Sequence, residues 1–179
     1  IDLTPETAID YPGLTTTFVS PTYGYSFGYF DRGGLAPATE RWDPQDQPLE
    51  DRNIDERFDS VETGLGAYFE AASTAIPLSR IGSPAVSIDA WVDESITPIA
   101  AGGCGVPRSQ QAAITIDGQP ARIAECPKQV EATVVAGNRL YLFILSHSRS
   151  DARALFDSWI ATIDLRPDDV ATPSKAPSP

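Results

Sequence analysis

The sequence predicts an α+β fold in which an antiparallel sheet is covered by two helices. Three observations carry this expectation. Strand-like runs come in pairs joined by tight turns, the clearest being Asp117-Gly118 and Gly137-Asn138. The run Leu-Tyr-Leu-Phe-Ile-Leu at 140–145 is apolar at every position, so a strand there needs cover on both faces. Two stretches, 87–97 and 150–164, repeat apolar residues at helical spacing.

The elements follow in order. Residues 1–13 are polar and interrupted by Pro5, Pro12 and Gly13, so they read as an N-terminal arm. Residues 15–20 are β-branched and aromatic, a strand, and 25–30 return after the turn Pro21-Thr22-Tyr23-Gly24. Tyr25, Phe27 and Tyr29 alternate and so share one face. Asp31-Arg32-Gly33-Gly34 breaks the strand, and 38–42 reads as a short helical turn. Residues 43–57 lack apolar periodicity and read as a surface loop. Residues 58–63 and 67–75 are two strands around Gly64-Leu65-Gly66.

Ser87 is placed to cap a helix carrying Ile88, Trp91, Val92, Ile96 and Ile99, with Asp89 in its first turn and Pro98 and Gly102-Gly103 as stop signals. Residues 112–116 and 119–125 form a hairpin around Asp117-Gly118. Ile114 and Ile116 share a face there with Ala121 and Ile123. Residues 130–135 pair with 139–146, and 140–145 is the central, doubly covered strand. Ser150 caps the second helix, with Ala152, Leu155, Phe156, Trp159, Ile160 and Ile163 on one face and an end near Asp164. The tail from 166 to 179 is rich in Pro, Ala and Ser and reads as a linker. One domain, 14–165, lies between arm and tail. About five to seven strands are expected in its sheet.

Composition narrows the function. The chain has 179 residues, enough for one domain with a full core. Its 13 Lys and Arg stand against 25 Asp and Glu, a net charge of −12. That excess of acid argues against nucleic-acid binding and against docking on an anionic leaflet, both of which use a basic face. Nine of the acids and three of the bases fall in 40–62, so half of the net charge sits there. No stretch approaches the ~20 apolar residues of a membrane span.

No residue set names a reaction, so no catalytic, cofactor or metal residues are assigned. His147 is the only His, in Ser146-His147-Ser148 with Asp151 nearby, but no Gly-x-Ser-x-Gly elbow accompanies it. Adjacent strand residues also point to opposite faces, so Ser146 cannot meet His147. A polar corner between strand and helix is the expected reading. The acids of 43–57 lack the EF-hand spacing and read as a solvated loop, with weak Ca²⁺ binding as the alternative. Ala101-Gly102-Gly103-Cys104-Gly105 lacks the Gly-Lys-Ser/Thr of a phosphate loop and reads as helix termination. The aromatic hairpin is expected to cover the core. Its alternative is a binding platform made of Tyr23, Tyr25, Tyr29 and Trp42.

The two cysteines, Cys104 and Cys126, flank a compact hairpin and have no zinc spacing. The expectation is a disulfide and an oxidising, extracytoplasmic compartment, the alternative two buried thiols.

Tyr23-Gly24-Tyr25 and then Ala38 through Trp42 resemble the opening of PsbP-like domains. The helix around Trp91, Cys104, the Asp-Gly-Gln-Pro-Ala turn at 117–121, Cys126, the Gly-Asn hairpin and the closing helix follow in that family's order. The likeness runs from about Thr15 to Leu165 as a pattern. It departs at Gly33-Gly34-Leu35, where many relatives have an aromatic. The resemblance implies an α/β/α sandwich, shared by a photosystem II extrinsic subunit, a Ran-binding import factor and bacterial secreted proteins or lipoproteins. It implies binding or scaffolding, with no shared catalytic residues. The expected function is therefore a non-enzymatic extracytoplasmic interaction or assembly domain, with another envelope protein as its expected partner. A small-molecule or glycan-binding module on the aromatic hairpin is the alternative, and a hydrolase is the remote one.

Overall fold

A computed structural model of the chain describes residues 13–44, 54–81, 85–95 and 104–170. Seven strands form one antiparallel sheet in the order β3-β4-β5-β9-β8-β7-β6. They are β3 (Gly34–Ala36), β4 (Asp59–Glu62), β5 (Ala67–Ala75), β6 (Ala112–Ile116), β7 (Gln119–Cys126), β8 (Gln129–Ala136) and β9 (Arg139–His147). β1 (Thr16–Val19), β2 (Tyr25–Tyr29) and β10 (Asp164–Leu165) form a second sheet with β2 in the middle. The helices are a single turn α1 (Ile54–Arg57), α2 (Ala85–Ser95) and α3 (Ala152–Ile160).

The apolar run is the centre of the large sheet, as expected. β9 has three strands on either side, and residues 140–145 are all buried. Register decides what covers each face. Tyr141 and Phe143 stand opposite Ser73 and Ala71 on β5 and opposite Val134 and Ala132 on β8. This face packs on the small sheet and α3: Tyr25 meets Phe143 at 5.6 Å between ring centroids, and Trp159 stacks on Phe69 at 4.2 Å. Phe27, Phe143 and Phe156 meet Trp159 edge-on, so one indole joins the helix to both sheets.

The other face is more polar. Glu70, Ile144 and Glu131 lie in one row across β5, β9 and β8, and Thr133 stands opposite Leu142 in the next. α2 reaches this face through Arg108. Its side chain pairs with Asp89 and donates from Nε to Thr133 Oγ1 at 3.1 Å, while its N–H donates to Asp93 at 2.8 Å. Glu131 is 5% exposed and among the described residues takes one hydrogen bond, from Gln129 Nε2 at 3.4 Å. Burial pushes its carboxyl up to about 7.

Several expectations are corrected. The closing helix ends at Ile160, not near Asp164. Thr162 N–H and Ile163 N–H reach back only three residues, to Trp159 and Ile160, and this tightening turns the chain into β10. Ser150 does not cap that helix. Asp151 occupies the cap position, without a side-chain cap because its carboxylate is held by Arg149 at 2.6 and 2.7 Å. Ser87 lies inside α2, which starts at Ala85, and Asp89 is spent on Arg108 instead of the first turn. Residues 38–42 form no helix. They run irregularly, with Thr39 N–H and Glu40 N–H both donating to the Glu56 carbonyl. The cover of the large sheet is also mixed, since the three-stranded sheet shares one face with α3.

The Asp117-Gly118 turn forms as expected, with φ of 47° and 72°, and Ile114 stands opposite Ala121. The folded body continues past Leu165 to Val170 through a turn at Pro167–Asp169. Arg166 N–H donates to the Gly24 carbonyl at 2.8 Å there. The arm at 1–12, the acidic residues 45–53, Ile96, Pro98, Ile99, Gly102-Gly103 and the tail from 171 lie outside the described residues.

Candidate functional site

The aromatic hairpin is core, not a platform. Tyr23, Tyr25 and Trp42 are 1%, 0% and 4% exposed, and only Tyr29 is half-buried. The cause is β2's middle position. β1 and β10 flank it, and α3 and the large sheet's aromatics pack against it, so Tyr25 through Gly28 are buried in succession. The hydroxyls are satisfied inside. Tyr25 OH donates to Asp59 Oδ2 at 2.6 Å, Ser20 Oγ donates to the same oxygen at 2.6 Å, and Ala38 N–H donates to Oδ1 at 2.8 Å. Three donors on one buried carboxylate replace its lost water. Burial first, then the charge of Asp59, raises the Tyr25 phenol well above its usual value. Tyr23 OH accepts from the Trp42 backbone N–H at 2.8 Å and lies against the Arg57 carbonyl. This knot fixes the 38–42 segment to the sheet.

His147 is not part of a triad. Its Nδ1 accepts from Arg149 N–H at 3.2 Å, and Nε2 meets no partner among the described residues. Ser146 Oγ donates to Glu70 at 3.2 Å, and Asp151 is gripped by Arg149, which also donates to the Leu65 carbonyl at 2.9 Å. The three side chains of the tempting set are thus engaged separately, in a polar corner that ties β9 to the 64–66 turn. Among the described residues no group of His, Cys, Asp or Glu is arranged to hold a metal ion.

Cys104 and Cys126 form the expected disulfide, with Cα atoms 5.1 Å apart. Cys126 ends β7, so the bond clamps the chain that follows α2 onto the sheet. Cys104 Sγ also lies 3.5 Å from the Gln129 carbonyl on β8.

Two surface features have chemistry to offer. The first is the outer edge of β6. The two-residue turn makes Ile116 and Gln119 the closing pair, so Ile114 and Ala112 also bond inward. The N–H and C=O of Ala113 and Thr115 therefore face away from β7. Ala112, Ala113 and Thr115 are exposed, and the strand carries no charge and no Pro and has no paired neighbour on that side among the described residues. Pro120 sits opposite Thr115, where the ladder asks for no N–H from it. The sequence signalled the hairpin but not which of its strands ends the sheet. The second feature is a hollow of about 170 Å³ walled by Tyr23, Trp42 and Arg139 among others. Two of the aromatics singled out in the sequence thus line a hollow from within, although neither forms a surface.

No family model matches the chain, and no curated protein matches it. Among solved structures the fold is similar to cyanobacterial PsbP (CyanoP) from Synechocystis, with a TM-score of 0.53 and 11% identity, over 84% of this chain and 91% of that one. A crystal structure from Bacteroides thetaiotaomicron matches with a TM-score of 0.48 and 12% identity, over 88% of this chain and 50% of that one. The likeness to CyanoP shows a PsbP-like fold.

Proposed function

We propose that this PsbP-like chain is a non-catalytic, extracytoplasmic interaction domain that takes an extended strand of an envelope protein onto β6. We read its layers as a variant of the α/β/α sandwich in which the small sheet shares one cover with α3. The open β6 edge carries the proposal. A soluble sheet ordinarily blunts its edges with charge, Pro, a bulge or a short strand. The opposite edge follows that rule, because β3 has only three residues. β6 is five residues of Ala, Ile and Thr with none of these guards. Strand addition draws its affinity from main-chain hydrogen bonds at such an edge. The disulfide supports an oxidising compartment. Among the described residues no helix is long and apolar enough to cross a membrane.

The test places a photocrosslinking amino acid at Ala113 of the chain in its native envelope. The expected result is one discrete crosslinked protein, lost in Thr115→Pro and retained in Thr115→Val, because only the proline removes the outward N–H. A crosslink that persists unchanged in Thr115→Pro would refute strand addition at this edge.

A further inference from the structure

Arg139 is the odd cation in this strongly acidic chain. It begins β9, half-buried, opposite Ala75 on β5. Its Nε and Nη2 both donate to one oxygen, Ser73 Oγ, at 3.1 and 2.8 Å. That oxygen in turn donates its own proton to the Tyr23 carbonyl at 2.8 Å. Three of the five guanidinium N–H bonds are left over, and Arg139 makes no ion pair among the described residues. Half-buried guanidinium groups usually meet a carboxylate, since desolvating the charge without one is costly.

Arg139 belongs to the wall of the 170 Å³ hollow. Arg41 lines it too, and the Arg41 charge acts unfavourably on the Arg139 guanidinium. Asp43, at the rim, is the one acid among the lining residues, against two arginines. Thr22, Ser73 and Thr74 add hydroxyls. A second hollow of about 300 Å³ shares Asp43, Thr74 and Ala75 with the first, so the two adjoin. Beyond those shared residues its wall is apolar: Pro44, Ile76, Pro77, Leu78 and Trp91. Leu78 is 86% exposed, with nothing of the described chain covering it. Trp42 walls the first hollow and Trp91 the second, and neither indole N–H meets an acceptor among the described residues.

We propose that these adjoining hollows together bind a small organic carboxylate with an apolar tail, its head on Arg139 and its tail against Leu78 and Trp91. The guanidinium fork matches a carboxylate in two parallel hydrogen bonds and leaves its other side on Ser73. A site with one polar anchor and an apolar wall is the ordinary make-up of a small-molecule pocket. The inference is independent of the β6 edge, which lies at the far end of the sheet from β5.

The test titrates the intact chain with hexanoate, followed by tryptophan fluorescence and by the shift in melting temperature. Hexylamine and acetate serve as comparison ligands. Hexanoate is expected to saturate, to raise the melting temperature, and to bind about tenfold or more tighter than hexylamine. Arg139→Gln is expected to weaken hexanoate and acetate alike, by about tenfold. Leu78→Asp, at an exposed position that the fold does not need, is expected to weaken hexanoate and leave acetate unchanged. Absence of saturation below roughly 50 mM hexanoate, equal binding of hexylamine, or unchanged hexanoate binding in Leu78→Asp would each overturn the proposal.

Discussion

Replacing Glu131 by Gln should stabilise this protein above about pH 4.5, and most from about pH 7 upward. Glu131 is 5% exposed, its single hydrogen bond comes from an amide, and burial raises its carboxyl from 4.5 to about 7. A carboxyl whose folded value lies above its unfolded value binds a proton more tightly in the fold. The contribution to stability is full below the unfolded value and is lost as pH rises through the folded one. The penalty therefore grows between about pH 4.5 and about pH 7 and stays constant above. At 1.36 kcal/mol per unit of difference, it reaches about 3 kcal/mol. Gln keeps the shape and the hydrogen-bonding atoms and carries no charge, so it removes the penalty. The gain should raise the melting temperature by roughly 6–12 °C at pH 8, at about 2–4 °C per kcal/mol for a chain of this size. At pH 4 the two proteins should melt together. The assay is thermal unfolding of both proteins by near-UV circular dichroism from pH 4 to 8, where the other acids titrate in both and cancel in the difference. A gain of equal size at pH 4 and pH 8, or none at pH 8, would refute the reasoning.

Three further outcomes are expected. Replacing both cysteines by Ala should cost about 3 kcal/mol, the loop-closure term for a bridge of this span, read by urea denaturation; titration of the denatured, unreduced wild type should find no free thiol. Tyr25→Phe should cost about 1–3 kcal/mol in the same assay, because it strips one of three donors from buried Asp59. Gly24→Ala should lose more than about 1 kcal/mol, since φ there is +68° and a Cβ would strike the Arg166 carbonyl; hydrogen exchange should show β10 released first.

Much of the sheet was legible because its signals are local. The Asp117-Gly118 pair marks its turn through backbone conformation alone, and the run at 140–145 announces a doubly covered strand by composition. What was missed depends on distant partners. β3 has three residues and exists through its pairing with β4, more than twenty positions on. β10 was hidden by periodicity. Ile163 continues the apolar face of α3 and is buried, yet it lies beyond the helix, because a residue just past a helix end can face the same core. The aromatic hairpin shows the same limit. Alternation puts Tyr25, Phe27 and Tyr29 on one face but does not say that the other face is covered too. Arg139 gave no signal at all, since only the register of β5 against β9 places it beside Ser73.

The unequal edges of the large sheet set a valence. With β3 only three residues long and β6 unpaired among the described residues, β6 is the edge from which the large sheet can be extended. A second copy pairing β6 with β6 antiparallel would satisfy both open edges about a two-fold axis and leave only β3 edges outside. Growth then stops at two copies, where a sheet with two open ends would propagate into a fibre. A foreign strand bound at β6 also stops growth, after one. A partner strand and a second copy would therefore compete for one seat, and topology would set the stoichiometry of an assembly through this edge before affinity is considered.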